Sequence, residues 1–105
     1  MNLRRIDLNL LVVFDQLMAE RRVSKVAENL GLGQPAISNA LARLRKLLGD
    51  ELFLRTSAGM QPTPFADQLA ASVGQALSLI HGAVNARSTF DPGSSRRRWK
   101  KPLLS

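Results

Sequence analysis

Between Leu8 and Glu20, the residues Leu10, Leu11, Phe14, Leu17 and Met18 recur at the three- and four-residue spacing that gathers them on one face of an α-helix. Asp7 precedes the stripe and suits its N-cap. "ERRVS" breaks the pattern, and Ser24 reads as the N-cap of a short second helix, Lys25 to Leu30, ended by Gly31 in a left-handed conformation. In the next stretch, "LGLGQPAISNALARLRKLLG", Pro35 is expected at the first helical position, where its missing N–H forfeits no intrahelical bond. Ile37, Leu41, Leu44 and Leu48 fall within a narrow arc, while Pro35, Asn39, Ala42, Arg43 and Lys46 point the opposite way.

After Gly49 the period changes. "ELFLRTSAGMQP" offers β-favouring residues, a turn at Ser57 to Gly59 and Pro62 as a stop, which predicts a small β-hairpin. The longest predicted helix follows, "TPFADQLAASVGQALSLIHGAVNAR", with Thr63 as N-cap, Pro64 at the first position and Asp67 near the positive end of the helix dipole. Phe65, Leu69, Val73, Ala76, Ile80 and Val84 form a stripe along it that needs a partner. The remaining "STFDPGSSRRRWKKPLLS" reads as a flexible end, and no internal repeat is visible.

Composition narrows the chemistry. A chain of 105 residues fits one small domain with an appendage and is short for an enzyme core built around a deep cleft. A net charge of +7 and a pI near 11.4 favour nucleic acid or an acidic membrane as the general partner. However, "RRRWKK" at 96–101 holds five of the fifteen cations, so the rest of the chain sets ten cations against eight acids. Local placement must therefore carry the argument. From Leu30 to Gly49 stand Arg43, Arg45 and Lys46 without an acid, Glu28 and Asp50 only flanking them; Arg45 points toward the flank and reads as solvated.

Without Cys, neither a disulfide nor a thiolate metal site can form, and a cytoplasmic protein is the simple reading. The N-terminal Arg pair and apolar run resemble a signal peptide, but Asp7, Asn9 and Asp15 interrupt the run too early; neither an export signal nor a membrane span is expected. His81 has no Asp, Glu or Cys at ligand spacing and suits a surface or a dimer interface. There is no Tyr, no nucleophile with a base, no paired carboxylates and no phosphate-cradling Gly loop, so neither an enzyme nor a cofactor or metal site is expected.

Two short helices joined by a Gly-containing turn, the second with a polar, cationic face, form the layout of a helix-turn-helix. Ala27 is small where the helices should cross, and Leu32 and Ile37 are apolar where the unit must lock. Spacing by itself leaves an ordinary amphipathic helical hairpin open. Ser24 and Thr63 could each expose a helix N-terminus to phosphate, although capping alone accounts for both.

The run "LNLLVVFDQLMAERRVSKVAENLGLGQPAISNALARLRKLLGDELFLRTSAGMQPTPFADQLA" closely resembles the N-terminal winged helix-turn-helix domain of LysR-type transcriptional regulators. The resemblance extends over residues 4–95 and is most specific in "AENLGLGQPAISNALARLRKLLGDELFLRT" followed by "PTP" and a long helix. "DLNLL" and "FDP" look most like the subgroup that responds to aromatic or plant-derived inducers. It implies a mainly α fold: a winged helix-turn-helix over 1–62 with three helices and a β-hairpin wing, a dimerisation linker helix over 63–88, and a flexible basic tail over 89–105.

The resemblance further implies that the helix near 35–48 enters the major groove and that the hairpin near 52–61 acts as a wing. Gln34 and Asn39 then suit adenine through their amides, and Pro35 and Ala36 suit a thymine methyl. Ser38 would bond phosphate or a base edge, Arg43 and Lys46 would neutralise the backbone, and Arg55 and Thr56 match the wing segment that reaches the backbone or the neighbouring minor groove. Gly33 departs from the hydroxyl residue common just before the Gln. Trp99 and its neighbouring cations could grip DNA nonspecifically or remain a free tail.

In the family, a larger inducer-binding domain follows the linker, but "KKPLLS" does not resemble its first strand, so no small-molecule inducer is expected for these residues. The expected function is a sequence-specific transcriptional regulator domain, a cytoplasmic homodimer on pseudopalindromic double-stranded DNA with no membrane partner. The alternative is a protein-interaction module that forms inactive mixed dimers with full-length regulators.

Overall fold

The structure, a computed structural model, describes residues 3–89. After a short 3-10 turn at Leu3–Arg5 come α1 (Leu8–Glu20), α2 (Val23–Leu30), α3 (Gln34–Leu48), β1 (Phe53–Thr56), β2 (Gly59–Pro62) and α4 (Pro64–Thr89). The basic segment 96–101, Trp99 and "FDP" lie outside the described residues.

Helix α1 is as the spacing predicts, and the Asp7 carboxylate accepts the Leu10 N–H at 2.9 Å as its cap. Its fully buried face is Leu10, Val13, Phe14 and Leu17, with Leu11 and Met18 only half-buried. Arg21 ends the helix in the left-handed region at φ 63°.

Helix α2 starts earlier than expected, and Ser24 is not its N-cap. Arg22 occupies that position in extended conformation with no side-chain cap bond, because the left-handed turn at Arg21 delivers the chain straight into the ladder and Val26 N–H already bonds the Arg22 carbonyl at 3.1 Å. Gly31 does end the helix at φ 67°, with Leu32 N–H closing on the Ala27 carbonyl at 2.9 Å in a Schellman arrangement. Pro35 falls at the second position of α3, since Gln34 is already helical and Gly33 is the N-cap without a side-chain bond. The shift sacrifices no hydrogen bond, because the first turn's N–H groups have no intrahelical acceptor.

The three helices pack pairwise around Phe14, Leu17, Val26, Ile37 and Leu44, all closed to solvent. Leu52 and Phe53 bring the chain after α3 into the same core; the Phe53 ring lies 5.7 Å from that of Phe14 at 55°. Each such side chain contributes about 1.5–3 kcal/mol through burial. The hairpin is antiparallel, with Phe53 opposite Pro62 and Thr56 opposite Gly59, so the loop is Ser57–Ala58 and Gly59 belongs to the strand rather than the turn. Pro62, expected as a stop, is the last paired residue and is buried.

Between α3 and α4, Asp50 Oδ1 accepts both the Leu52 N–H and the Thr63 hydroxyl at 2.8 Å. The Thr63 oxygen in turn accepts the Ala66 N–H at 3.1 Å, giving the expected cap ahead of Pro64. One carboxylate thus ties the loop, the buried left-handed Leu52 at φ 65° and the start of α4 together.

The chain divides after Gln75 into two compact units. In the first, Ala66 and Val73 of α4 are buried, whereas Phe65, expected on the buried stripe, is 38% exposed. In the second, Leu79, Ile80 and Val84 are 75%, 45% and 62% exposed, leaving that stretch of α4 an uncovered apolar face. Among the described residues no helix is long and apolar enough to cross a membrane.

Candidate nucleic-acid interface

Helix α3 turns Ile37, Leu41 and Leu44 inward and Pro35, Asn39, Arg43 and Lys46 to the opposite side, with Ala36 and Ser38 on its flanks and Gln34 at its first position; all seven of these polar or small residues are exposed. The side chains of Gln34, Ser38, Asn39, Arg43 and Lys46 make no hydrogen bond or ion pair with the described residues. Their donors and acceptors are free for another molecule.

Two grooves flank this face. Gln34 and Ser38, one turn apart, line an open groove with Arg55, Thr56 and Ser57 of the hairpin and with Arg22 and Ser24 at the start of α2. Ala36, Asn39 and Arg43 line another with Asp7, Asn9 and Leu10 of α1 and with Leu32. Pro35 and Lys46 line neither. The nine residues singled out from sequence are therefore distributed around α3 and the hairpin rather than collected in one pocket, as suits an extended surface that another molecule overlies.

Three features escaped the sequence reading. Arg22, exposed beside Ser24, adds a cation to the first groove; the signal was the Arg pair immediately before α2. Arg45 is not merely solvated: its Nε donates to the Glu51 carbonyl and its terminal nitrogen to the Phe53 carbonyl, both at 2.7 Å, with the Glu51 carboxylate 3.7 Å from Nε. No residue pattern announces this, because both hydrogen-bond acceptors are backbone atoms. Thr56 has its hydroxyl engaged within the hairpin, donating to the Gly59 carbonyl at 2.7 Å and accepting the Ala58 N–H at 3.2 Å, so its side chain first builds the turn.

A second attachment fixes the hairpin from the other side. Met60 N–H donates to the Arg21 carbonyl at 2.7 Å, and Gly59, at φ 116°, packs so closely that a Cβ there would lie 2.7 Å from that same oxygen. Arg55 is the cross-strand partner of Met60, so the hairpin cation sits opposite an anchored residue. Elsewhere, exposed His81 lies with Nε2 2.7 Å from the Asn85 amide one turn along α4, and no group of three metal-ligating side chains occurs among the described residues.

Residues 8–67 match the bacterial regulatory helix-turn-helix proteins of the lysR family. The chain is 58% identical over 97 residues to the HTH-type transcriptional activator NagR of Ralstonia sp and 57% identical over 97 residues to NahR of Pseudomonas putida, covering 92% of itself and 32% of each. It thus spans about a third of the length of these curated relatives, which are transcriptional regulators, not enzymes. Nodulation protein D 1 of Bradyrhizobium sp. is 45% identical over 100 residues, covering 95% of this chain and 32% of that protein.

Among solved structures, a probable transcriptional regulator from Pseudomonas aeruginosa superposes with a TM-score of 0.78 at 48% identity, over 87% of this chain and 30% of that one. The BenM DNA-binding domain in complex with catB site 1 DNA superposes with a TM-score of 0.74 at 25% identity, over 79% of this chain and 93% of that one. The mainly helical architecture with a two-stranded hairpin and a long last helix is the winged helix-turn-helix expected from the sequence. With more than half of its residues inside the family match and the same architecture in solved relatives, the chain belongs to the lysR family of bacterial regulatory helix-turn-helix proteins.

Proposed function

We propose that this chain reads double-stranded DNA as a cytoplasmic homodimer, with α3 in the major groove and the hairpin as a wing beside it. The observation that carries the reading is the acid-free outward side of α3, where Gln34 and Ser38 share a groove with the wing's Arg55. The BenM domain, built the same way, is bound to DNA in its solved complex. Gln34 and Asn39 present amides able to pair with adenine, Pro35 and Ala36 offer apolar contact to thymine, and Ser38 suits a base edge or phosphate. Arg43, Lys46 and Arg55 neutralise backbone charge, joined by Arg22; Thr56 shapes the wing and lends its remaining acceptor capacity.

The working division is a winged unit over 1–62, a linker helix over 63–88 and a basic tail over 89–105. Leu79, Ile80 and Val84 supply the apolar face through which two linker helices pair, giving two recognition helices about one DNA turn, or a multiple, apart. Inducer sensing is not assigned to these residues. The same apolar face supports a second reading, mixed pairing with a longer relative that leaves one half-site unread.

Fluorescence-anisotropy titration with genomic fragments, at two salt concentrations and with excess nonspecific competitor, tests the reading. Competitor-resistant binding to a particular fragment is expected; binding that competitor abolishes would favour the mixed dimer. Asn39→Ala or Gln34→Ala should lower discrimination among bases by about 1–3 kcal/mol per lost contact, whereas Arg43→Ala should weaken all sequences alike. The reverse pattern would overturn this division of roles. Sedimentation at tens of micromolar should show a dimer, and Ile80→Glu should return it to monomer by burying a carboxylate in the helix pair. A wild-type chain that sediments only as monomer would end the homodimer proposal.

A further inference from the structure

We infer that Arg45 is a positioning residue for DNA recognition: by clamping the first strand of the wing to α3, it sets where Arg55 stands relative to Gln34 and Ser38. This rests on the DNA-reading proposal above. Arg45 lies four and seven residues along α3 from Leu41 and Ser38 and eleven from Gln34, so helical periodicity places it on the wing-side strip with Ser38 and Gln34. Its guanidinium spans two alternate carbonyls, Glu51 and Phe53, at 2.7 Å each. Arg55 is two residues beyond Phe53 on the same strand and has the same parity, and Arg55 lines the groove that contains Gln34 and Ser38.

The hairpin is small and has no third strand, so its own ladder does not fix its angle to α3. Beside the burial of Phe53 against Phe14 and the Asp50 link from Leu52 to Thr63, two hydrogen-bonded attachments act on the strands themselves. The Met60–Arg21 backbone bond holds β2 to the turn between α1 and α2, and the Arg45 fork holds β1 to the recognition helix itself. Removing the fork leaves β1 seated by the Phe53 side chain but without its hydrogen bonds to α3, so the strand beyond Phe53 is free to shift, which moves Arg55 while Gln34 and Ser38 stay on α3. The planar guanidinium suits this role because it donates to two carbonyls from a fixed geometry; a Lys ammonium retains the charge but not the fork.

Arg45→Lys, Arg45→Ala and Arg55→Ala, with the double variants of Arg55→Ala, separate positioning from charge. Affinity for the best-bound fragment, and its dependence on salt, is read for each. Arg55→Ala alone should lose about tenfold in affinity and reduce the salt slope by about one, as one phosphate contact disappears. In either Arg45 background the same change should lose less than about twofold, because Arg55 is already misplaced. Arg45→Lys should therefore resemble Arg45→Ala and not the wild type.

If Arg45→Lys keeps wild-type affinity, or if Arg55→Ala loses its full tenfold in the Arg45 backgrounds, Arg45 acts only through charge or general stability and the inference falls. Hydrogen exchange, without DNA, provides a separate readout. Amides in 53–62 should exchange faster in both Arg45 variants, with α1 and α2 unchanged; unchanged wing amides would overturn the clamp itself. A wild type that binds no fragment specifically, while its wing still loosens on Arg45 substitution, would count against the DNA-reading proposal and not against the clamp.

Discussion

Phe14→Ala should destabilise the fold by about 3–5 kcal/mol, a large share of the stability of so small a domain. Phe14 is closed to solvent at the centre of α1 and meets the Phe53 ring at 5.7 Å, so truncation removes both a core side chain and the aromatic contact that seats the first residue of the wing. Denaturant unfolding with an unchanged slope measures the loss. Leu54→Ala, one residue beyond Phe53 and 52% exposed, is the control, with an expected change within about 0.5 kcal/mol. A Phe14→Ala loss below about 1 kcal/mol would mean that the wing and the helices do not share one core.

The second large effect belongs to Gly59. Gly59→Ala should destabilise by about 2–4 kcal/mol, combining backbone strain of order 1–3 kcal/mol with about 1 kcal/mol for the Met60–Arg21 hydrogen bond it disturbs. The physical reason is double: φ is 116°, and the new Cβ would stand 2.7 Å from the Arg21 carbonyl oxygen, a backbone atom that cannot swing aside. Gly49→Ala isolates one half of that reason, because Gly49 also has positive φ, at 66°, but nothing within 4 Å. It should cost about 1 kcal/mol. Equal losses at the two glycines, measured by thermal or denaturant unfolding, would show that the contact with Arg21 is unimportant.

What made the fold legible is that most of its signals are local. Asp7, Gly31, Thr63 and Pro64 mark helix ends by chemistry that acts within a few residues, and each does so in the structure. The outward side of α3 followed from periodicity, since burying Ile37, Leu41 and Leu44 turns Pro35, Asn39, Arg43 and Lys46 the opposite way; Gln34, seven residues before Leu41, is exposed because it opens the helix. Ser24 misled because its suitability as a cap is local, whereas the helix start was set by the left-handed turn at Arg21, whose carbonyl serves the distant Met60. Phe65 likewise fits the apolar stripe of α4, yet Ala66 is the residue buried.

The sequence by itself determined the order of the four helices and the hairpin and the polar side of α3, because side-chain periodicity, caps and turn residues act over one or two helical turns; the family showed in the resemblance of the residue run as a whole. Tertiary structure alone decided how the wing stands against the recognition helix. That placement depends on Arg45 reaching the carbonyls of Glu51 and Phe53, on Met60 meeting the Arg21 carbonyl, and on Asp50 joining Leu52 to Thr63. Most of those acceptors are backbone oxygens, which every residue carries. Their pairing becomes visible only when folding brings distant segments within hydrogen-bonding distance.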